Sequence, residues 1–178
     1  MSLMTPILSQ FPLTRWPLIM AGFSLAMLLG AWGFEYIGKY LPCALCYDQR
    51  YIHMAVIGLG LASGIGLILR PGLARFAPYM IFAVALVLLY SAGFAGWHAG
   101  IEYGWWAGPA SCTAGGTGNI SAGSILDALE SRVIVPMCDE ASWTLFGISM
   151  AGYNALISLV MAGVSIFVGY RGLKGEAA

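Results

Sequence analysis

Four long stretches of this sequence contain almost no charged residue, and they limit the possible fold more than any other feature. They cover residues 16–36, 50–69, 76–98 and 143–170. A helix needs about 20 mainly apolar residues to cross a bilayer, so each stretch is long enough to span one. We therefore predict an all-α membrane protein, a four-helix transmembrane bundle that forms a single domain over residues 1–178.

The overall composition supports a membrane environment. Apolar residues make up 60% of the chain and charged residues 9%, against about 45–50% and about 25% in soluble domains. So few charges could not cover the surface of a water-soluble globule. The net charge of zero and the lack of a basic block argue against a nucleic-acid partner. Two small-residue pairs, Gly60/Gly64 and Gly96/Gly100, are of the kind that lets helices approach closely in lipid.

Lysines and arginines in the connections predict the orientation. The side with more of them faces the cytoplasm, and five of the eight share one side: Arg15, Arg70, Arg75, Arg171 and Lys174. Both termini are then cytoplasmic. Two outer loops, of about residues 37–49 and 99–142, face the opposite side, which in a bacterium is the periplasm.

All four cysteines lie in these two outer loops. Cys43 and Cys46 are in the first loop, and Cys112 and Cys138 are in the second. Disulfides persist in oxidising compartments, so two disulfides are expected. Four cysteines allow three pairings, and the sequence leaves the resting pairing open.

The first pair forms a C-x-x-C motif, Cys43-Ala44-Leu45-Cys46, directly before the second span. The positive end of a helix dipole favours a thiolate, so we expect a lowered pKa for Cys46. Arg50 follows one turn later and adds a permanent charge. The accessible oxidant at this depth is lipid-soluble, and a quinone carbonyl could accept a hydrogen bond from Arg50. The alternative role for Arg50 is an anchor at the membrane surface.

The second pair, Cys112 and Cys138, is separated by 26 positions. We expect an exposed, mobile disulfide that an external thiolate attacks easily. Between the two cysteines, residues 121–135 have apolar positions at helical spacing, which predicts a short surface helix in the second outer loop, lying on the membrane. The alternative is a solvent-exposed helix that covers the end of the bundle.

Two histidines lie near the outer ends of their spans. His98 is a candidate quinone-binding residue, as a hydrogen-bond donor or proton relay. The alternative is an interfacial polar residue satisfied by backbone groups. His53 has the same two interpretations.

Three segments resemble a known family, and they are Leu41-Pro42-Cys43-Ala44-Leu45-Cys46 with Arg50 following, Gly108-Pro109-Ala110-Ser111-Cys112, and Pro136-Met137-Cys138-Asp139. They are similar to the signature and the second-loop cysteines of DsbB, the disulfide bond formation protein B family. The resemblance covers essentially the whole chain. It is specific, because all four cysteines match in order and in loop.

The resemblance implies a protein-disulfide:quinone oxidoreductase of the bacterial inner membrane, and the DsbA–DsbB–quinone relay is a known route that keeps the periplasm oxidising. A DsbA-like thioredoxin-fold partner would attack Cys112 and release Cys138. Cys43 would then exchange with the second loop. Cys46, supported by Arg50, would pass electrons to ubiquinone or menaquinone.

Two other classes of protein compete with this interpretation. A zinc site built from the four cysteines is disfavoured, because Cys112 and Cys138 lack the paired spacing of structural zinc sites. We therefore expect no metal. A non-enzymatic four-span protein with structural disulfides explains the number of cysteines. It does not explain a C-x-x-C motif one turn before Arg50.

Overall fold

The computed structural model describes residues 12–110, 112 and 136–175, and these form a bundle of helices. The four long helices are α1 (Trp16–Trp32), α2 (Ala44–Leu69), α3 (Ala77–Glu102) and α4 (Met150–Leu173). Among the described residues, four helical segments are long and apolar enough to cross a membrane. The predicted fold class is confirmed. The helices pack mainly as two pairs, α1 with α2 and α3 with α4.

The bundle places apolar side chains on its outside and small polar ones between its helices. Leu86 and Val160 are 68% and 65% exposed. Ser91 and Ser158 are fully buried, and their hydroxyl oxygens lie 3.2 Å apart across the α3–α4 contact. An apolar exterior suits a hydrocarbon solvent, and interhelical hydrogen bonds and small residues add to the packing between the helices.

The close approach predicted for small residues occurs between α1 and α2. A Cβ atom added at Gly60 would lie 2.6 Å from the carbonyl oxygen of Pro17, and one at Gly64 would lie 2.5 Å from Cγ of Leu18. In the second pair, Gly96/Gly100, the space at Gly100 is filled by the ring of Trp106 and not by another helix.

The helix bounds differ from the predicted spans at the outer end of the bundle. The second span was predicted from residue 50, whereas α2 begins at Ala44 because Cys43 caps it: its sulfur accepts a hydrogen bond from the Cys46 amide. The first span continues as a π-helical turn, Gly33–Ile37. The third runs on to Glu102. The motif therefore lies on a helix rather than in a loop.

The fourth span was predicted from residue 143, but a β-hairpin precedes α4. Its strands are β1 (Thr144–Leu145) and β2 (Ile148–Ser149), paired antiparallel. The hydroxyl of Tyr103 donates to the carbonyl of Gly147 and accepts from the amide of Ser149. The hairpin is as apolar as a membrane span, so composition alone extended the predicted span across it.

The surface helix predicted over residues 121–135 lies outside the described residues.

Candidate functional site

The first cysteine pair lies at the N-terminus of α2. Cys43 is the N-cap residue and Cys46 lies in the first turn, which brings the two sulfur atoms to 2.8 Å. Both are free thiols. A disulfide has an S–S distance of about 2.05 Å, so the pair closes into one with a small movement of its side chains.

The electrostatic setting favours a thiolate on Cys43. A hydrogen bond from the Cys46 thiol and, to a smaller extent, the contact with His98 lower the pKa of Cys43 to about 5 against the opposing effect of burial. The sequence placed this thiolate on Cys46. The structure differs because the Cys46 thiol hydrogen-bonds to the Cys43 sulfur, which also accepts from the Cys46 N–H at 3.3 Å.

The second pair, Cys112 and Cys138, forms a disulfide. The two segments also join through a 2.7 Å hydrogen bond from the Cys138 amide to the Cys112 carbonyl. The predicted exposure is wrong, since Cys112 is 6% and Cys138 0% exposed. Both pack with Cys43, Leu45 and Ile101 in one apolar cluster, the cysteine cluster. Apolar contacts bury the disulfide, so a partner must open its cover to reach it.

Zinc is the metal that cysteine and histidine ligands at this place would suit. Within the described part of the chain, candidate ligand atoms of Cys43, Cys46 and His98 lie within 4.8 Å of one another. Tetrahedral zinc with Zn–S distances of about 2.3 Å holds two sulfurs about 3.8 Å apart, which is wider than the 2.8 Å between Cys43 and Cys46. With Cys112 and Cys138 joined in a disulfide, a four-cysteine site is not formed.

A cavity of about 390 Å³ opens beside the first pair, between α1, α2, α4 and the hairpin. Its walls are largely apolar, with Ala26, Met27, Phe34 and Ile157 among them. Cys46 lines it, whereas Cys43 is absent from its lining and belongs to the cysteine cluster. The two cysteines of the motif therefore face two different environments.

Arg50 lines this cavity, and its role in binding a quinone stays a prediction. It is 9% exposed, and its guanidinium forms an ion pair with Glu35 in the π-helical turn after α1. A guanidinium has five N–H donors, so the ion pair leaves some of them for a ligand. The sequence did not identify Glu35, because a partner 15 residues away on another helix leaves no periodic signal.

His98 lies beside the thiol pair rather than in the cavity. It is fully buried and is not among the residues that line the cavity. Its Nε2 is 3.6 Å from the Cys43 sulfur, and its Nδ1 is 2.6 Å from the side-chain nitrogen of Gln49. His98 therefore contacts Cys43 rather than lining this cavity, and its role at the quinone stays a prediction.

His53 is the histidine that lines the cavity. It lies on the α2 face that carries Cys46 and Arg50, because positions 46, 50 and 53 are about one turn apart. Its Nε2 is 2.9 Å from the side-chain oxygen of Asn154 on α4. The sequence held a signal for Asn154, since a lone amide in an otherwise apolar span is a functional candidate.

Together these groups can store and move an electron pair. A dithiol that contacts both a disulfide and an apolar cavity can receive electrons by disulfide exchange and release them to an oxidant in that cavity. Arg50 and His53 are among the polar side chains that line the largely apolar cavity, and a few well-placed polar groups in an apolar pocket are typical of small-molecule sites.

Comparisons with known proteins find a matching family model and a curated relative. The family model described as "DsbB: Disulfide bond formation protein DsbB" matches residues 14–168. A curated relative, the uncharacterized protein RP370 of Rickettsia prowazekii (strain Madrid E), is 27% identical over 155 residues, which are 85% of this chain and 83% of that protein. No solved structure gives a significant match.

Proposed function

Because the chain belongs to the DsbB family of disulfide bond formation proteins, we propose that it is a membrane thiol oxidase that reoxidises a DsbA-like periplasmic dithiol protein and passes the electrons to ubiquinone or menaquinone. One observation carries the proposal. Cys46 lines an apolar cavity, while Cys43 packs against the disulfide of Cys112 and Cys138. The motif thus connects a disulfide to a site for an apolar oxidant.

The first exchange moves two electrons into the second loop. A thiolate of the partner attacks Cys112, breaks the Cys112–Cys138 bond and releases Cys138 as a thiolate. The partner's second thiol resolves the mixed disulfide, so that the partner leaves oxidised and the second pair is reduced. Since the disulfide is buried, the partner must displace its cover during this step.

The second exchange and the final oxidation restore the protein. The reduced second pair transfers its electrons to a disulfide of Cys43 and Cys46, which becomes a dithiol while the second disulfide reforms. Two electrons and two protons then pass from the dithiol to a quinone, which supplies the oxidising power and leaves as hydroquinone. Cys46, which lines the cavity, delivers the electrons to the quinone. Cys43, whose pKa is lowered to about 5, faces the second pair and takes part in the exchange with it.

The residues of the cavity fit a quinone. The walls accept an apolar ring and chain, and Arg50 offers N–H donors to a carbonyl oxygen. His53, which is 3% exposed, adds a second polar group, whose Nδ1 has no hydrogen-bond partner among the described residues. A buried polar atom of this kind needs a partner, and a ligand in the cavity can provide one.

The membrane orientation belongs to the same proposal. The excess of lysine and arginine near the ends of the bundle opposite the cysteines supports a cytoplasmic location for those ends. The cysteine cluster then faces the periplasm of a bacterial inner membrane, where a dithiol partner is available.

A reconstituted assay tests the function. Protein purified in detergent is mixed with a reduced DsbA-like protein and a soluble quinone analogue, and quinone absorbance is followed with time. We expect quinone reduction by the wild type and almost none by Cys46→Ser or Cys112→Ser, because each variant interrupts one of the two exchanges.

Ser63→Ala provides a matched control, since its hydroxyl donates to the carbonyl of Leu59 within α2 and Ser63 is not among the residues that line the cavity. Quinone reduction that is independent of thiols, or absent with several quinones and a competent partner, would contradict the proposal. That result would favour a membrane protein with structural disulfides only.

A further inference from the structure

A continuous row of buried hydrogen bonds links the first cysteine pair to the cavity. It runs from Cys43 to His98 (3.6 Å), from His98 to Gln49 (2.6 Å), from Gln49 to Asn154 (2.6 Å) and from Asn154 to His53 (2.9 Å). Every one of these side chains is less than one-tenth exposed. The row joins α2, α3 and α4 at one level of the bundle.

The two amides give this row a single direction. Asn154 donates its side-chain N–H to the oxygen of Gln49, so the nitrogen of Gln49 is left to donate to Nδ1 of His98. The oxygen of Asn154 is left to accept from Nε2 of His53, and it also accepts from the hydroxyl of Ser158. A histidine nitrogen that donates carries the proton. Nε2 of His53 therefore carries the proton of the neutral ring.

This tautomer leaves Nδ1 of His53 as an acceptor with a free lone pair. The atom is buried and has no hydrogen-bond partner among the described residues, and the ring lines the cavity. A quinone carbonyl oxygen cannot satisfy it, because a carbonyl also only accepts. A hydroxyl satisfies it, because a hydroxyl donates.

We propose that Nδ1 of His53 accepts a hydrogen bond from an aromatic hydroxyl in the cavity, so that the site binds hydroquinone more tightly than quinone. This inference rests on the proposed function and names the form of the substrate that the site prefers. The guanidinium of Arg50 does not discriminate, because carbonyl and hydroxyl oxygens both accept its N–H groups. Nδ1 of His53 responds to the redox state of the ligand, because it can accept from a hydroxyl and gains nothing from a carbonyl oxygen.

The preference has a consequence for turnover. Reduction converts carbonyl oxygens into hydroxyls, so a hydrogen bond to His53 forms as the product forms. The bond stabilises the product side of the reaction and slows release of the hydroquinone. The site therefore shows product inhibition, and exchange with the membrane pool requires an excess of quinone.

Equilibrium binding tests the inference without turnover. The protein, with its first pair oxidised so that quinone cannot react with it, is titrated by calorimetry in detergent under nitrogen. A short-chain ubiquinone and its hydroquinone are the two probes. We expect the wild type to bind the hydroquinone about tenfold more tightly, a difference of ~1.4 kcal/mol.

Two variants assign that preference to Nδ1. His53→Gln keeps a polar group near Nε2 for Asn154 and removes the acceptor at Nδ1, and His53→Phe removes both. Both variants should bind the two probes with affinities equal within about twofold, with the loss confined to hydroquinone. Arg50→Gln is the matched control, and it should weaken both probes alike and keep the preference.

Equal affinities in the wild type, or a preference that survives in His53→Gln and His53→Phe, would overturn the inference. Its failure can be told apart from failure of the proposed function. Thiol-dependent quinone reduction without a binding preference would contradict the role of His53 and leave the proposed function standing. A wild type that binds neither probe and reduces no quinone would contradict both the role of His53 and the proposed function.

Discussion

The first cysteine pair, Cys43 and Cys46, and the second, Cys112 and Cys138, share one apolar cluster but reach it in different ways. The two cysteines of the first pair are only three positions apart, and the first turn of α2 brings their sulfurs together. The second joins two chain segments 26 residues apart. The chain thus contains one pair placed by helix geometry and one placed by tertiary packing.

The difference between the pairs places a thiolate beside a disulfide. The sulfur of Cys43 receives hydrogen bonds from neighbouring groups, which lower its pKa to about 5. The second pair is held as a disulfide under apolar contacts. A disulfide exchanges with a thiolate, so a cluster that holds one of each is ready for transfer between them.

The largest expected effect comes from removing the second pair. We expect Cys112→Ser/Cys138→Ser to lose oxidation of a DsbA-like partner by about 1,000-fold or more, since no disulfide faces that partner. Oxidation of a small dithiol, which reaches the first pair directly, should stay within about threefold of wild type. Quinone absorbance measures both rates. Loss of both in a folded variant would show that the two pairs do not act separately.

The next effect concerns the acidity of the first pair. In the Cys112→Ser/Cys138→Ser background, we expect the pKa of Cys43 to be about 5 and to rise towards its ordinary 9.0 in Cys46→Ala, because the strongest donor to its sulfur is lost. His98→Phe should raise it less. Cys46→Ser retains a donor and is the control. Thiolate ultraviolet absorbance against pH measures each value, and an unchanged midpoint in Cys46→Ala would contradict this assignment.

The stability of the reduced protein should depend on pH through the same thiol. The folded pKa of about 5 lies below the ordinary 9.0, so the unfolded chain binds more protons between these values and stability rises with pH. The contribution is complete above about 9 and is lost as the pH falls through about 5. Melting curves in detergent should show this slope in the wild type and a smaller one in Cys43→Ser. Equal slopes would exclude the effect.

The smallest expected effect comes from the ion pair on the cavity side of the first pair. Glu35→Gln removes the carboxylate that orients Arg50. We expect the KM for quinone to rise about threefold with little change in kcat, because a less ordered guanidinium binds the ligand less well. Exchange between the partner and the second pair should not change. A kcat effect larger than the KM effect would assign Glu35 a role in the electron transfer itself.

Much of the fold was predictable because its signals are local. Four apolar stretches predicted four spanning helices, and the spacing of Gly60 and Gly64 indicated a close helix approach, which the structure shows between α1 and α2. The hairpin before α4 was not predicted, because Leu145, Phe146 and Ile148 are as apolar as a span. Its conformation depends on Tyr103, a residue more than forty positions away in the chain.

Part of the candidate site was likewise predictable from local signals, and part was not. Cys46 and Arg50 line the cavity on one helical face, as their spacing of four residues indicated. The two histidines have environments that their similar positions in the sequence did not distinguish. His98 contacts Cys43 and Gln49, and His53 contacts Asn154 and the cavity.

The sequence by itself determined the membrane class of the protein, its four spans, the C-x-x-C motif at a helix start and the order of the four cysteines. These depend on composition and on spacing within one helix, and both are properties of neighbouring residues. Only the tertiary structure decided which sulfur has the lowered pKa, which histidine faces the cavity and how deeply the second disulfide is buried. Hydrogen bonds and burial depend on groups from other helices, and their distances are set only when the bundle packs.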